Sequence, residues 1–183
     1  MKIFCASRDG KNGSEAAYAL LGSVYRSEFD SEPPPIEKTR NGKPFFPSRS
    51  DIHFSLSHSK THVLCALSRR PVGADIESLR QISERAVNYF CFPDELEVFD
   101  PLDLWVLKES YIKLIGGTLS MVKKIRFSLD GDRIVAPDEN AFPRLYRVGE
   151  CRVAVTAFGA PPAGDIDIVS PALSTQCTFL SLR

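Results

Sequence analysis

Apolar positions first fall into a helical rhythm after residue 13, where Ala17, Leu20, Leu21, Val24 and Tyr25 recur every three or four residues. Ser14 is a suitable N-cap, and the helix must end before Pro33-Pro34-Pro35, where no backbone N–H is free to bond. The rhythm then changes to that of strands. Phe54-Ser55-Leu56-Ser57 and Val63-Leu64-Cys65-Ala66-Leu67 flank His58-Ser59-Lys60-Thr61 and predict a hairpin. Its second run is apolar on both parities, as in a strand covered on both faces. Pro71-Val72-Gly73-Ala74-Asp75-Ile76-Glu77 alternates apolar with acidic residues and predicts a third strand.

A short helix over 83–90 and a helical turn over 94–99 follow. Asp100-Pro101 then supplies an N-cap and a first-turn proline for the clearest helix of the chain, which Gly116-Gly117 ends. Beyond it the pattern predicts strands over 125–129 and 133–136 around Asp130-Gly131-Asp132. A second pair spans 144–148 and 152–158 around Gly149-Glu150, and one more strand lies near Ile166-Asp167-Ile168. Helix plus strands thus occurs twice, before and after residue 71. The expected fold is mixed α+β, one unit over 1–183 made of two similar α/β halves, 1–70 and 71–183.

Composition narrows the function classes. The 183 residues carry 23 Lys+Arg against 23 Asp+Glu, with a pI near 6.8. Coating nucleic acid or an anionic membrane needs a basic surplus that is absent, so neither is expected as a partner. No run approaches the ~20 apolar residues of a membrane helix, and the N-terminal apolar run is too short for a signal peptide, so a cytoplasmic protein is expected. Cys5, Cys65, Cys91, Cys151 and Cys177 are scattered and odd in number, which reads as reduced, mostly buried thiols. His53, His58 and His62 are spaced five and four apart, which fits no common zinc pattern.

Two groups of residues could carry chemistry. Asp75 and Glu77, two apart in a strand, project from one face, and like charges that close call for a cation between them, a hard divalent one above all. Alternatively, strand-end acids simply face water. Glu109 and Lys113, four apart, would ordinarily be a surface ion pair. Their helix is apolar all round, however: Leu102, Trp105 and Val106 flank them, and Leu104, Leu107, Tyr111, Leu114 and Ile115 lie opposite. Such a helix is largely buried, and its carboxylate and ammonium are expected to line a cleft. Ser57-His58-Ser59-Lys60 adds hydroxyls, an imidazole and an ammonium suited to phosphate oxygens.

In this order, Gly42-Lys43-Pro44, Phe54-Ser55-Leu56-Ser57-His58-Ser59, Val72-Gly73-Ala74-Asp75-Ile76-Glu77 and Trp105-Val106-Leu107-Lys108-Glu109-Ser110-Tyr111-Ile112-Lys113 resemble the successive motifs of the Sfp-type 4′-phosphopantetheinyl transferases. The resemblance implies two α/β halves related by a pseudo-twofold axis, with coenzyme A between them. It also implies Mg²⁺-dependent transfer of the phosphopantetheine arm to a serine of an apo acyl or peptidyl carrier protein, releasing adenosine 3′,5′-bisphosphate. By the same resemblance, Asp75, Glu77 and Glu109 are the ligands of Mg²⁺, with Mn²⁺ as a substitute, and Glu109 also helps remove the serine proton. Lys113 corresponds to the lysine on the α-phosphate, Ser57 and His58 to the pair that holds phosphates, and Lys43 to the lysine near the adenine and 3′-phosphate. His58, Glu109 and Lys113 form the expected catalytic set.

Only about forty residues precede Gly42, fewer than the family usually carries. Arg8, Lys11, Arg26, Lys38 and Arg40 are available there, and no motif selects one for the 3′-phosphate. Glu95 or Asp94 could supply a further family acid. With both halves in one chain, a monomer is the simpler expectation. Two other readings remain: a non-catalytic module that binds coenzyme A or a carrier protein, and a Mg²⁺-dependent hydrolase of another nucleotide.

Overall fold

In the computed structural model, which describes residues 1–169, the chain runs through β1 (Lys2–Ser7), α1 (Gly13–Phe29), β2 (Glu37–Lys38), β3 (Pro44–Phe45), β4 (His53–His58), β5 (His62–Ser68) and β6 (Val72–Ser78). It continues through α2 (Glu84–Phe90), α3 (Pro93–Leu96), α4 (Pro101–Ile115), a 3₁₀ turn at Leu119–Lys124, β7 (Ser128–Asp130), β8 (Arg133–Val135), β9 (Ala141–Val148), β10 (Cys151–Phe158) and β11 (Asp167–Val169). The fold is mixed α+β. No helix among the described residues is long and apolar enough to cross a membrane.

The main strands form two sheets, ordered β11-β1-β5-β4 and β6-β10-β9. α1 covers one face of the first sheet: Ala17, Leu20, Leu21, Val24 and Tyr25 pack on Phe54, Val63, Cys65 and Leu67. The alternate residues of that sheet, Ile3, Cys5, Leu64 and Ala66, meet Val72, Ala74, Ile76, Val153 and Val155 of the second. α4 covers the remaining face of the second sheet, where Leu104, Leu107 and Leu114 join Phe127, Ala141 and Ala154. β5 is therefore apolar on both parities because each face meets a different layer.

β4 and β6 adjoin without a ladder. The amides of Ala74 and Ile76 donate to the hydroxyls of Ser55 at 2.9 Å and Ser57 at 3.4 Å. Two serines alternating along β4 thus satisfy the outward amides of the edge strand β6, which would otherwise be buried unpaired. α4 lies directly on β6: a Cβ on Gly73 would stand 2.0 Å from the Ser110 carbonyl oxygen and 2.3 Å from the Leu114 nitrogen.

Most of the elements expected from the hydrophobic pattern are present. Asp100 caps α4 through Leu102 N, and Gly116 ends the helix at φ +64°. Three readings need correction. α1 is capped by Asn12, whose carboxamide oxygen accepts from Ser14 N and Glu15 N, so Ser14 sits inside the helix. The segment expected as a strand from residue 125 begins its ladder at Ser128, because Ile125 and Phe127 are buried against α4. The run at Lys2–Ser7, read only as too short for a signal, is a central strand between β5 and β11. Cys5, Cys65 and Cys151 are buried free thiols and Cys91 is a half-buried one; Cys177 lies outside the described residues.

Candidate active site

The site forms where β4, β6 and α4 converge. Pleating turns Gly73, Asp75 and Glu77 of β6 toward α4 while Val72, Ala74 and Ile76 enter the core between the sheets. Asp75 is only 4% exposed. Its Oδ1 accepts from Lys113 Nζ at 2.7 Å and from Ser57 Oγ at 2.7 Å, and Lys113 Nζ also donates to Ser57 Oγ at 2.9 Å. Its Oδ2, equally buried, has no hydrogen-bond partner. An ionised oxygen stripped of water without a partner is costly, so this atom calls for a ligand.

Glu109 stands one turn before Lys113 on the same side of α4. Burial, the Asp75 charge and the Glu77 charge push its carboxyl from 4.5 up to about 7, with Lys113 pulling the other way. Glu77, less buried, pairs with Arg80 at 3.5 Å. No three His, Cys, Asp or Glu side chains among the described residues are drawn together as a finished metal cage. The chemistry of the donors nonetheless fits a hard divalent ion: an unpartnered buried carboxylate oxygen, a carboxyl raised by burial and then by its acidic neighbours, and oxygen atoms throughout.

The other expected residues separate in space. Ser57 belongs to the cluster itself, whereas His58, the next residue, is exposed at the end of β4 with its ring against the start of α1. Lys43 is turned inward. Its ammonium donates to the carbonyls of Leu114 at 2.8 Å and Val72 at 3.3 Å, and burial lowers its pKa to about 8. It thereby ties the 41–44 turn to the end of α4 and the start of β6. A cleft of about 250 Å³ opens between that turn and the last turn of α4, with Ser55, Leu56 and Lys113 also on its wall.

Two features of α4 escaped the sequence reading. Lys108, inside the helix motif, is wholly buried and donates to Glu95 Oε2 at 2.7 Å and to the Phe90 carbonyl at 2.6 Å. Glu95 is therefore an interior partner of α4, and Asp94 is a surface residue paired with Arg126. Asp103, in the first turn, is also buried and takes Arg147 at 2.7 Å and Arg152 at 3.4 Å, fixing α4 to β9 and β10. The one available signal was a lysine on a helix with no polar face.

Residues 71–149, which include β6 and α4, match the model of the 4′-phosphopantetheinyl transferase superfamily. The 4′-phosphopantetheinyl transferase gsp of Aneurinibacillus migulanus is 40% identical over 91 residues, 44% of this chain and 38% of that protein. A 4′-phosphopantetheinyl transferase of Bacillus subtilis is 34% identical over 125 residues, 60% of this chain and 56% of its own. Both matches span less than two thirds of the relative. The 4′-phosphopantetheinyl transferase Sfp of Bacillus subtilis strain 168 is 33% identical over 180 residues, covering 85% of this chain and 80% of that protein. A likeness that extends over both sheets, and includes the strand and helix that bring Asp75, Glu109 and Lys113 together, shows that this chain belongs to the 4′-phosphopantetheinyl transferase superfamily.

Proposed function

We propose that this protein transfers the 4′-phosphopantetheine arm of coenzyme A to a serine of an apo acyl or peptidyl carrier protein. The observation that carries the reading is the cluster of Asp75, Ser57, Lys113 and Glu109, with its unpartnered carboxylate oxygen, beside a cleft. Asp75, Glu77 and Glu109 would hold Mg²⁺ or Mn²⁺, which when bound offsets the charge of the coenzyme A pyrophosphate.

The chain's own groups account for the remaining work. The serine oxygen attacks the phosphorus that bears the pantetheine arm, and the bond from that phosphorus to the bridging pyrophosphate oxygen breaks, the oxygen leaving on the α-phosphate of adenosine 3′,5′-bisphosphate. Lys113 donates to the departing α-phosphate, whose charge grows as that bond breaks. Ser57 orients Lys113, and His58 contacts another phosphate of the nucleotide. Glu109, one turn before Lys113 on the same side of α4, takes the serine proton. Lys43 shapes the cleft from below by fixing its 41–44 wall to α4. The protein works as a monomer in the cytoplasm.

The test is to incubate the protein with coenzyme A, Mg²⁺ and several apo carrier proteins and to weigh the carriers by mass spectrometry. Gain of the phosphopantetheine mass, lost in excess EDTA, supports the reading. Tight binding of coenzyme A with no carrier modified would point to a non-catalytic module instead.

A further inference from the structure

His58 presents a question of positioning. Its side chain is exposed and makes no hydrogen bond among the described residues, so packing has to hold the ring. That packing comes from α1. A Cβ built on Gly13 would lie 2.6 Å from both Cγ and Nδ1 of His58 and 2.9 Å from its Cε1. The imidazole is therefore seated on bare backbone at the first residue of the helix. Gly13 has an ordinary backbone conformation, with no positive φ, so the turn does not demand glycine there. The ring does.

A second contact fixes the same geometry from the other side. Arg8 N–H donates to the Thr61 carbonyl at 2.8 Å, and its guanidinium donates to the carbonyls of Ser59 at 3.1 Å and Lys11 at 2.6 Å. Arg8 thus ties the loop that leads into Gly13 to the turn that leaves His58. Within that turn, the Ser59 hydroxyl accepts from the amides of Thr61 at 3.3 Å and His62 at 3.0 Å, so the turn is itself held from within.

Building on the transferase reading above, we propose that Gly13 and Arg8 are positioning residues that set the His58 imidazole toward a phosphate of coenzyme A. Neither touches substrate; both act through His58. Alanine at the first helical position favours the helix over glycine, so Gly13→Ala keeps or strengthens α1 while displacing the ring. Stability and substrate use should then move apart.

The experiment measures KM for coenzyme A, kcat with an apo carrier protein, and Tm, for the parent, Gly13→Ala, Arg8→Gln, His58→Ala, and the two double variants with His58→Ala. Gly13→Ala should raise KM about tenfold, the scale of one lost contact to a charged phosphate. Its kcat should stay within about twofold of the parent, with Tm unchanged or higher. Arg8→Gln should raise KM in the same sense. In the His58→Ala background neither substitution should change KM further. A parental KM in Gly13→Ala overturns the proposal, as does an equal rise with His58 already removed, or a fall in kcat and Tm together. A parent that modifies no carrier defeats the transferase reading instead.

Discussion

Two lysines five residues apart on α4 each meet a carboxylate, and their surroundings differ in one respect. Around Lys108 every partner is present: both its side chain and that of Glu95 are 0% exposed. Glu95 Oε2 also accepts from Phe92 N and Oε1 from Phe127 N. Burial lowers the Lys108 pKa, and Glu95 opposes that fall. Around Lys113 the set is incomplete. Asp75 keeps an unpartnered oxygen, Glu109 is driven toward its neutral form, and Lys113 is 28% exposed. A closed polar cluster is architecture, because it has nothing left to offer a ligand. An open one retains unmet electrostatic demand at a place that a substrate can reach.

The contrast is sharpest for stability. Lys108→Met strands a buried carboxylate, and should lower stability by about 3–5 kcal/mol, read as a drop in urea midpoint at constant slope. Lys113→Met removes a partly exposed ammonium from the buried Asp75, which keeps the Ser57 hydroxyl, and should cost less, about 1–3 kcal/mol, while reducing transfer about 10²–10³-fold in the carrier mass assay. If the two variants unfold alike, the distinction between the clusters collapses.

Asp75→Asn removes one of the crowded acids and should leave the urea midpoint unchanged or higher. Saturating Mg²⁺ should raise the melting temperature of the parent, which binds it only when folded, and leave that of the variant unmoved. A parental response in Asp75→Asn would take the cation elsewhere.

Glu109 gives a smaller, pH-dependent signature. Its folded pKa of about 7 exceeds the ordinary 4.5, so between those values the folded state binds more protons than the unfolded one. Stability from this group is greatest at the acid end, falls as pH rises through the window, and the penalty is complete above it. The gap in urea midpoint between Glu109→Gln and the parent should therefore widen in the variant's favour from pH 5 to pH 8. Lys43 should give the smallest effect, with the opposite slope. Its folded pKa of about 8 lies below 10.5, so stability from this group rises with pH between those values. Lys43→Met should abolish that rise and cost about 1 kcal/mol for its lost hydrogen bonds.

What could be read from sequence followed from local rules. The Asp100-Pro101 start and Gly116 end of α4 need only backbone geometry, and the common face of Asp75 and Glu77 needs only the pleat. The placing of Glu109 and Lys113 on a cleft followed from a helix with no polar side, and the grouping of Asp75 with that helix came from the family resemblance. What escaped depends on partners distant in the chain. β1 is a strand because β5 and residues 167–169 flank it. Glu95 and Asp94 are chemically alike in sequence, and only the direction of α3 sends one to Lys108 and the other to Arg126. Lys43 looks like any turn lysine until α4 brings two carbonyls to it.

The serine seam between β4 and β6 also bears on how the molecule moves. A ladder resists separation through many cooperative bonds, whereas here two serine hydroxyls bridge the two strands, at a net stabilisation of about 1 kcal/mol each. One of those hydroxyls, on Ser57, also donates to Asp75 and accepts from Lys113. Parting the strands at that point therefore takes the Ser57 hydroxyl from the ammonium and the carboxylate in the same event, while their direct contact stays on the β6 and α4 side. The seam between β4 and β6 passes through the reactive cluster, so separation of these two strands and rearrangement of the site share one coordinate.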